Sequence, residues 1–204
     1  MSHRGRPPKI APEEQVRNAM HLFWRKGYYD TSVADLVAEA GLSRAAICAG
    51  HGGKKALFDK ALEVYEAEVT SAALAIIETE EAGLPEIRAF FGQFFAFFDQ
   101  PLGRQGCLLC NTSSEVAPED EEIAGRIARF LARLQTAFRR AAERSQSDLR
   151  DGLAPGELAD YCTGAVLGAM SFARSPAPRE AVRNYLGGVL LILAAAAREE
   201  AEPA

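Results

Sequence analysis

Long apolar runs are missing from this chain of 204 residues. The nearest, "YLGGVLLILAAAA" from Tyr185 to Ala197, falls short of the roughly 18 residues that span a bilayer, which excludes a membrane-spanning reading. Strand signals are nearly absent: no sustained apolar/polar alternation, and no Asn-Gly or Asp-Gly turn between β-branched runs. No internal repeat is visible, which excludes solenoid and propeller architectures. Histidine and cysteine are scarce, at three and four residues. A structural zinc site needs about four ligands, and "GCLLC" has no second pair to match it, so no metal or other cofactor is expected. Three scattered histidines and no nucleophile motif also leave an enzyme with little footing. The start, "MSHRGRPPKIAPEE", is basic and proline-rich without an apolar core, unlike a secretory signal. With so few cysteines the expected location is the reducing cytoplasm.

What the chain does have is helical periodicity along most of its length. Val16, Ala19, Met20, Phe23 and Trp24 form one stripe, with Pro12 suited to a first turn and Gly27 to a stop. Val33, Leu36, Val37 and Ala40 repeat it over a shorter helix, capped by Thr31 or Ser32 and ended by Gly41. Ser43 caps a third helix that ends near Gly50 to Gly53. A fourth is expected from Lys54 to Glu80, and Gly83 and Pro85 break it. Further helices follow in "IRAFFGQFFAFFDQPLG", from Glu119 to Arg144, from Pro155 to Phe172 and from Arg179 to Arg198. The expected fold is all-α with about nine helices.

Charge is unevenly spread. The net value is −5, but residues 1–60 hold 10 Lys/Arg against 6 Asp/Glu, and residues 61–204 hold 13 against 22. A basic head on an acidic body approaches phosphates with one end only.

Two short helices joined by "AGLS" satisfy the physical needs of a helix-turn-helix. Ala40 is small enough for a close crossing, Gly41 permits a positive φ, and Leu42 plugs the corner. "SRAAIC" then offers small and polar side chains to a major groove. With "AMHLFWRKGYYDTSVADLVAEAGLSRAAI" before it and "GKKALFDKALEVY" after it, the segment resembles the TetR family of bacterial transcriptional regulators. The resemblance covers residues 14–66 in detail; the rest matches in size and helical order. It implies an all-α homodimer of two domains: residues 1–53, a DNA-binding head with a basic arm, and residues 54–204, an effector-binding and dimerisation body. It implies a regulator, most simply a repressor, that a small apolar effector or a cysteine modification releases from a near-palindromic operator in double-stranded DNA. No membrane partner is implied.

Candidate DNA contacts combine geometry with family position. Arg4 and Arg6 suit a minor groove. Thr31 and Ser32 offer hydroxyls and N–H groups to phosphate. Ser43, Arg44, Ala45 and Ala46 open the reading helix, Arg44 being the candidate for a guanine edge or a phosphate. Lys54 is placed against the backbone. Cys48 stands where relatives usually have Tyr, and Gly50-His51 where they have His-Phe or Tyr-Phe. Three readings are compatible with these departures: His51 donates to a phosphate, the head is partly disabled, or neighbours repack around the changes. The second reading leaves a small-molecule binding protein with weakened or lost operator affinity as the alternative function.

In the body, "FFGQFFAFF" places six Phe between Phe90 and Phe98, over too much of a helix surface for one neighbour to cover. Either the helix is packed on all sides or some rings line a ligand cavity. The candidate effector set is Phe91, Phe94, Phe95 and Phe98 with Cys107, Cys110, Asn111 and Arg129; Arg104 and Gln105 are further polar candidates. Cys107 and Cys110, three residues apart, are either small core residues or a thiol sensor. The small and apolar faces of the last two helices suit a two-fold four-helix interface.

Overall fold

A computed structural model describes residues 10–198. Arg4 and Arg6 therefore lie outside the described residues. Among those residues the chain forms nine helices and no strand. They are α1 (Pro12–Lys26), α2 (Val33–Ala38), α3 (Ala46–Gly50, wound as a π-helix), α4 (Lys54–Tyr65, a π-helical turn Glu66–Thr70, and Ser71–Leu74), α5 (Leu84–Asp99), α6 (Leu108–Glu115), α7 (Glu121–Arg144), α8 (Pro155–Arg174) and α9 (Arg179–Ala195). A 3₁₀ turn, Pro101–Gln105, precedes α6. The chain divides into two compact units, Met1–Glu68 and Val69–Ala204.

In the first unit, α1 starts at Pro12, where the missing amide proton costs nothing, and stops at Gly27, whose φ of 92° suits glycine. Its stripe Val16, Ala19, Met20, Phe23 and Trp24 is buried. The partners are Leu57, Phe58, Ala61, Leu62 and Tyr65 on the first stretch of α4. Rings lock the pair edge-on: Phe23 meets Phe58 at 5.0 Å and Trp24 meets Tyr65 at 4.9 Å. Such ring pairs add about 0.5–1.5 kcal/mol each beyond burial. α2 is held to α1 by Lys26 against Asp35 and by Arg25 against Glu39, with Asn18 donating to the Ala40 carbonyl at 3.3 Å. Val37, assigned to the buried stripe from sequence, is exposed; Leu36 alone anchors this six-residue helix.

In the second unit, α7 runs for 24 residues and packs along α8, while α5 packs on α7 and α9. Ser145, at the end of α7, accepts a hydrogen bond from the Leu84 amide at 2.7 Å and so fixes the start of α5. Arg88 donates to the Leu193 carbonyl at 3.0 Å, tying α5 to the last turn of α9.

Two helices end earlier than their composition suggests. The fourth stops at Leu74, not Glu80: the Ile77 and Glu78 amides both turn back to the Leu74 carbonyl, and Arg133 from α7 grips Glu78 through two hydrogen bonds. The last stops at Ala195, not Arg198, because the backbone there pairs with another segment: the Arg150 amide donates to Ala196 and the Arg198 amide to Asp148.

Candidate nucleic-acid interface

The turn between α2 and α3 follows from three residues. Gly41 adopts φ +70°, and a Cβ there would come within 2.9 Å of the Ile10 side chain. Leu42 is buried in the corner, and its amide donates to the Leu36 carbonyl at 3.2 Å. Ser43 accepts from the Ala46 amide at 3.0 Å, capping the next helix through its side chain.

From this cap the chain presents one face outward. Ile47 is fully buried and holds α3 to the unit, while Ser43, Arg44, Ala45, Cys48, Ala49 and Gly50 are exposed and Ala46 is half-buried. Arg44 is the one long donor on this face. The helix is wider than expected: the His51 amide bonds the Ala46 carbonyl at 2.9 Å, five residues back, and Gly53 bonds Ile47 at 2.8 Å. Gly50, which weakens an ordinary α-turn, sits at the end of this π-turn.

Several expected contacts are corrected by this geometry. Thr31 is fully buried, and its hydroxyl donates to the Gly27 carbonyl at 2.6 Å, so it is not offered to phosphate. Ser32 is exposed, but its amide and hydroxyl both donate to Asp35 Oδ2, at 2.8 and 2.7 Å, in a capping box. The Lys26 ammonium and then Ser32 hold the Asp35 carboxyl well below the usual carboxylate range. The start of α2 is therefore capped by its own carboxylate, itself paired with Lys26, where phosphate was expected.

His51 is turned inward, only 8% exposed, with Nε2 3.2 Å from Gln15 Oε1. Burial, and then the nearby Lys60 charge, push its pKa down. A neutral, inward ring is no phosphate donor, and that expectation is corrected. Its place is the wedge under α3, with Gln15 from α1 satisfying the polar edge. Sequence alone could not pick Gln15, which lies 36 positions away and carries no local signal. Lys54 lies with its ammonium 4.3 Å from the centre of the Tyr28 ring, a cation–π contact that directs it along the surface of the Tyr28, Phe58 and Phe23 cluster.

The body set does not converge. Phe91 is fully buried, stacked on Phe138 of α7 at 5.9 Å and 5°; Phe90 meets Phe138 edge-on at 5.3 Å; Phe94 meets both Phe90 and Phe91. This is solid core, and the expectation that Phe91 and Phe94 line a cavity is corrected: Phe138 fills the space. Phe98 is buried beside Phe94, with only about 10 Å³ of free volume at its edge near Arg104 and Val182. Phe95 is half-buried under the Arg183 guanidinium. Arg129 is exposed and lines a different feature, an open groove of about 1140 Å³ between α7 and residues 77–82. Asn111 is turned to the Gln105 carbonyl at 2.9 Å, inside its own loop. Cys107 and Cys110 are buried, and neither is in a disulfide. No group of three or more His, Cys, Asp or Glu able to hold a metal occurs among the described residues. No helix among them is long and apolar enough to cross a membrane.

Comparison with known proteins places both units. Residues 16–61 match the family described as "Bacterial regulatory proteins, tetR family", and residues 83–186 match "Tetracyclin repressor-like, C-terminal domain". The chain is 25% identical over 193 residues to the HTH-type transcriptional repressor ComR of Escherichia coli (strain K12), covering 92% of this chain and 90% of ComR. A TetR transcriptional regulator from Chloroflexus aurantiacus J-10-FL shares the fold at a TM-score of 0.78, with 21% identity over 92% of this chain and 96% of its own. The regulator CifR, solved as a cysteine mutant with a 26bp double-strand operator DNA, shares it at 0.75, with 22% identity over 91% and 98%.

Proposed function

Because the chain belongs to the TetR family of transcriptional regulators, we propose that it is a repressor that holds a near-palindromic operator as a homodimer and releases it when the body is modified or liganded. The observation that carries this reading is the outward face of α3. Ile47 fixes the helix from behind, and Arg44 stands beside Ser43, Ala45 and Cys48, small residues that let the backbone approach base edges. CifR, of the same fold, was solved with operator DNA, and ComR is named a repressor. Residues 1–53 carry the DNA-reading surface, and within residues 54–204 the second unit, from Val69 on, receives the signal. Release needs a ligand or modification that favours the DNA-free state over the bound one.

Electrophoretic retardation of DNA from upstream of the protein's own gene tests the proposal. The wild type retards such a fragment at about 50 mM salt and loses affinity as salt rises. Arg44→Ala weakens that binding by about 1–3 kcal/mol and narrows the gap between operator and unrelated DNA. Retardation of no upstream fragment by the wild type overturns the proposal.

A further inference from the structure

Cys107 and Cys110 have a geometry that ordinary core cysteines lack. Cys107 is the N-cap of α6, with extended backbone (φ −112°, ψ 130°), and Cys110 is the third helical residue. Side chains at these two positions face each other across the first turn. The same geometry in α2 brings the Ser32 hydroxyl within 2.7 Å of Asp35. In α6 it places the Cys107 and Cys110 thiols on the same side of the first turn, near enough for one to act on the other's proton. Neither is in a disulfide, and they keep 9% and 7% of their surface exposed. No helical bond is broken for them to meet, since an N-cap is already outside the regular turn. From this placement we infer that Cys107 and Cys110 form an oxidation site, which a hydroperoxide converts to a disulfide across the first turn of α6. The inference deepens the proposed function by naming the modification the body takes, and it rests on that reading only for its effect on DNA.

The two thiols differ in role. The neighbouring Cys107 thiol, and then burial, raise the Cys110 pKa well above the usual thiol value. Cys107, at the N-cap, where the helix end favours negative charge, is the attacking sulfur of the proposed site. Its sulfur attacks the peroxide oxygen and breaks the O–O bond, giving Cys107 sulfenic acid and an alcohol or water. The Cys110 sulfur then attacks the Cys107 sulfur, forming the S–S bond and breaking S–O. The leaving hydroxide takes the Cys110 proton as water. Two thiols and one hydroperoxide thus give one disulfide, water, and an alcohol or a second water. The site is also positioned to be felt elsewhere. Gly106 enters α6 at φ +64°, where a Cβ would lie 2.6 Å from the Met170 carbonyl, so the chain presses on the α8 backbone one residue before the site.

Cys48 is exposed and would consume oxidant first, so the test uses the full chain carrying Cys48→Ser. Cys162 is buried, with its thiol pushed up to about 12, and serves as the unreactive internal control. After hydrogen peroxide, alkylation and digestion, the expected product is a peptide joining Cys107 to Cys110, about 2 Da lighter than the dithiol form and restored by dithiothreitol. With Cys110→Ser added, a dimedone adduct forms on Cys107; with Cys107→Ser, none forms on Cys110. Recovery of both residues as reduced thiols, or as sulfinic acids with no disulfide, overturns the inference. A protein that retards operator DNA but keeps this pair reduced leaves the proposed function standing. A pair that closes in a protein with no DNA affinity overturns the proposed function and not the thiol chemistry.

Discussion

Replacing His51 with Phe asks whether the ring is a neutral wedge or a charged contact. At pH 8 the two forms differ little. The Nε2 to Gln15 bond at 3.2 Å is worth about 1 kcal/mol, and its loss opposes a gain of similar size from the larger apolar ring. Gln15 is only half-buried and still donates to the Ile10 carbonyl at 2.9 Å, so its freed oxygen can find water. Net stability at pH 8 is therefore expected within about 1 kcal/mol of the wild type.

The difference opens as pH falls. The unfolded chain takes a proton on His51 near the ordinary value of 6.5, while burial and Lys60 keep the folded ring neutral to a lower pH. The stabilisation is complete above the unfolded value and is lost as pH drops from about 6.5 toward the folded one, at no more than about 1.4 kcal/mol per pH unit for one proton. His51→Phe removes this slope. Groups common to both proteins cancel in the difference. Trp24 is the only tryptophan and is buried in the first unit, so urea unfolding followed by its fluorescence reports the right region. His21 stacks 6.4 Å from it, so the unfolding midpoint is the readout, not the intensity. Parallel stability curves between pH 8 and pH 5, or a wild type that gains on the variant as pH falls, would refute the inward, neutral assignment.

Two further outcomes follow from the second unit. Phe91→Ala removes a fully buried ring stacked on Phe138 and is expected to destabilise that unit by about 3–5 kcal/mol in thermal unfolding; a loss under about 1 kcal/mol would mean a slack, cavity-lining ring after all. Leu191 is 73% exposed beside exposed Ile192 on α9, an apolar patch suited to a second copy; Leu191→Glu is expected to halve the mass seen by light scattering, and an unchanged dimer refutes that surface.

Sequence periodicity was enough for α1, because every member of its stripe repeats at helical spacing within a few turns, and for α2 to α3, because Ala40, Gly41 and Leu42 each serve a local steric need. It was not enough for contacts between distant segments. Six Phe on α5 show that the helix needs cover on most sides, but not that Phe138 supplies it from α7. His51 was legible as a departure, while its outcome depended on Gln15, in another helix. Thr31 and Ser32 are both capping types by composition; only the backbone shows that one turns to Gly27 and the other to Asp35. Sequence shows the two cysteines three residues apart, a spacing that inside a regular helix needs distortion to bridge. The N-cap position of Cys107 removes that requirement, and a shift of one residue in the start of α6 would restore it.

The sparse reading face makes duplication a physical need. Ser43 is engaged as a cap, Ala45, Cys48 and Ala49 offer little beyond shape, and Arg44 is the one long donor on the face. One bidentate arginine supplies about 1–3 kcal/mol of base discrimination. Specific regulators exceed their own non-specific binding by about 4–10 kcal/mol. A single copy of this face falls short of most of that range, whereas two copies held one helical turn or a multiple apart roughly double it and add a spacing requirement that random DNA seldom meets. On the proposed function, selectivity is then a property of the separation between two heads. A signal need not touch Arg44 to abolish repression. On the proposed function it has only to alter the geometry of the body, and Gly106, packed against the backbone of α8, joins the Cys107–Cys110 pair to a core helix of that body.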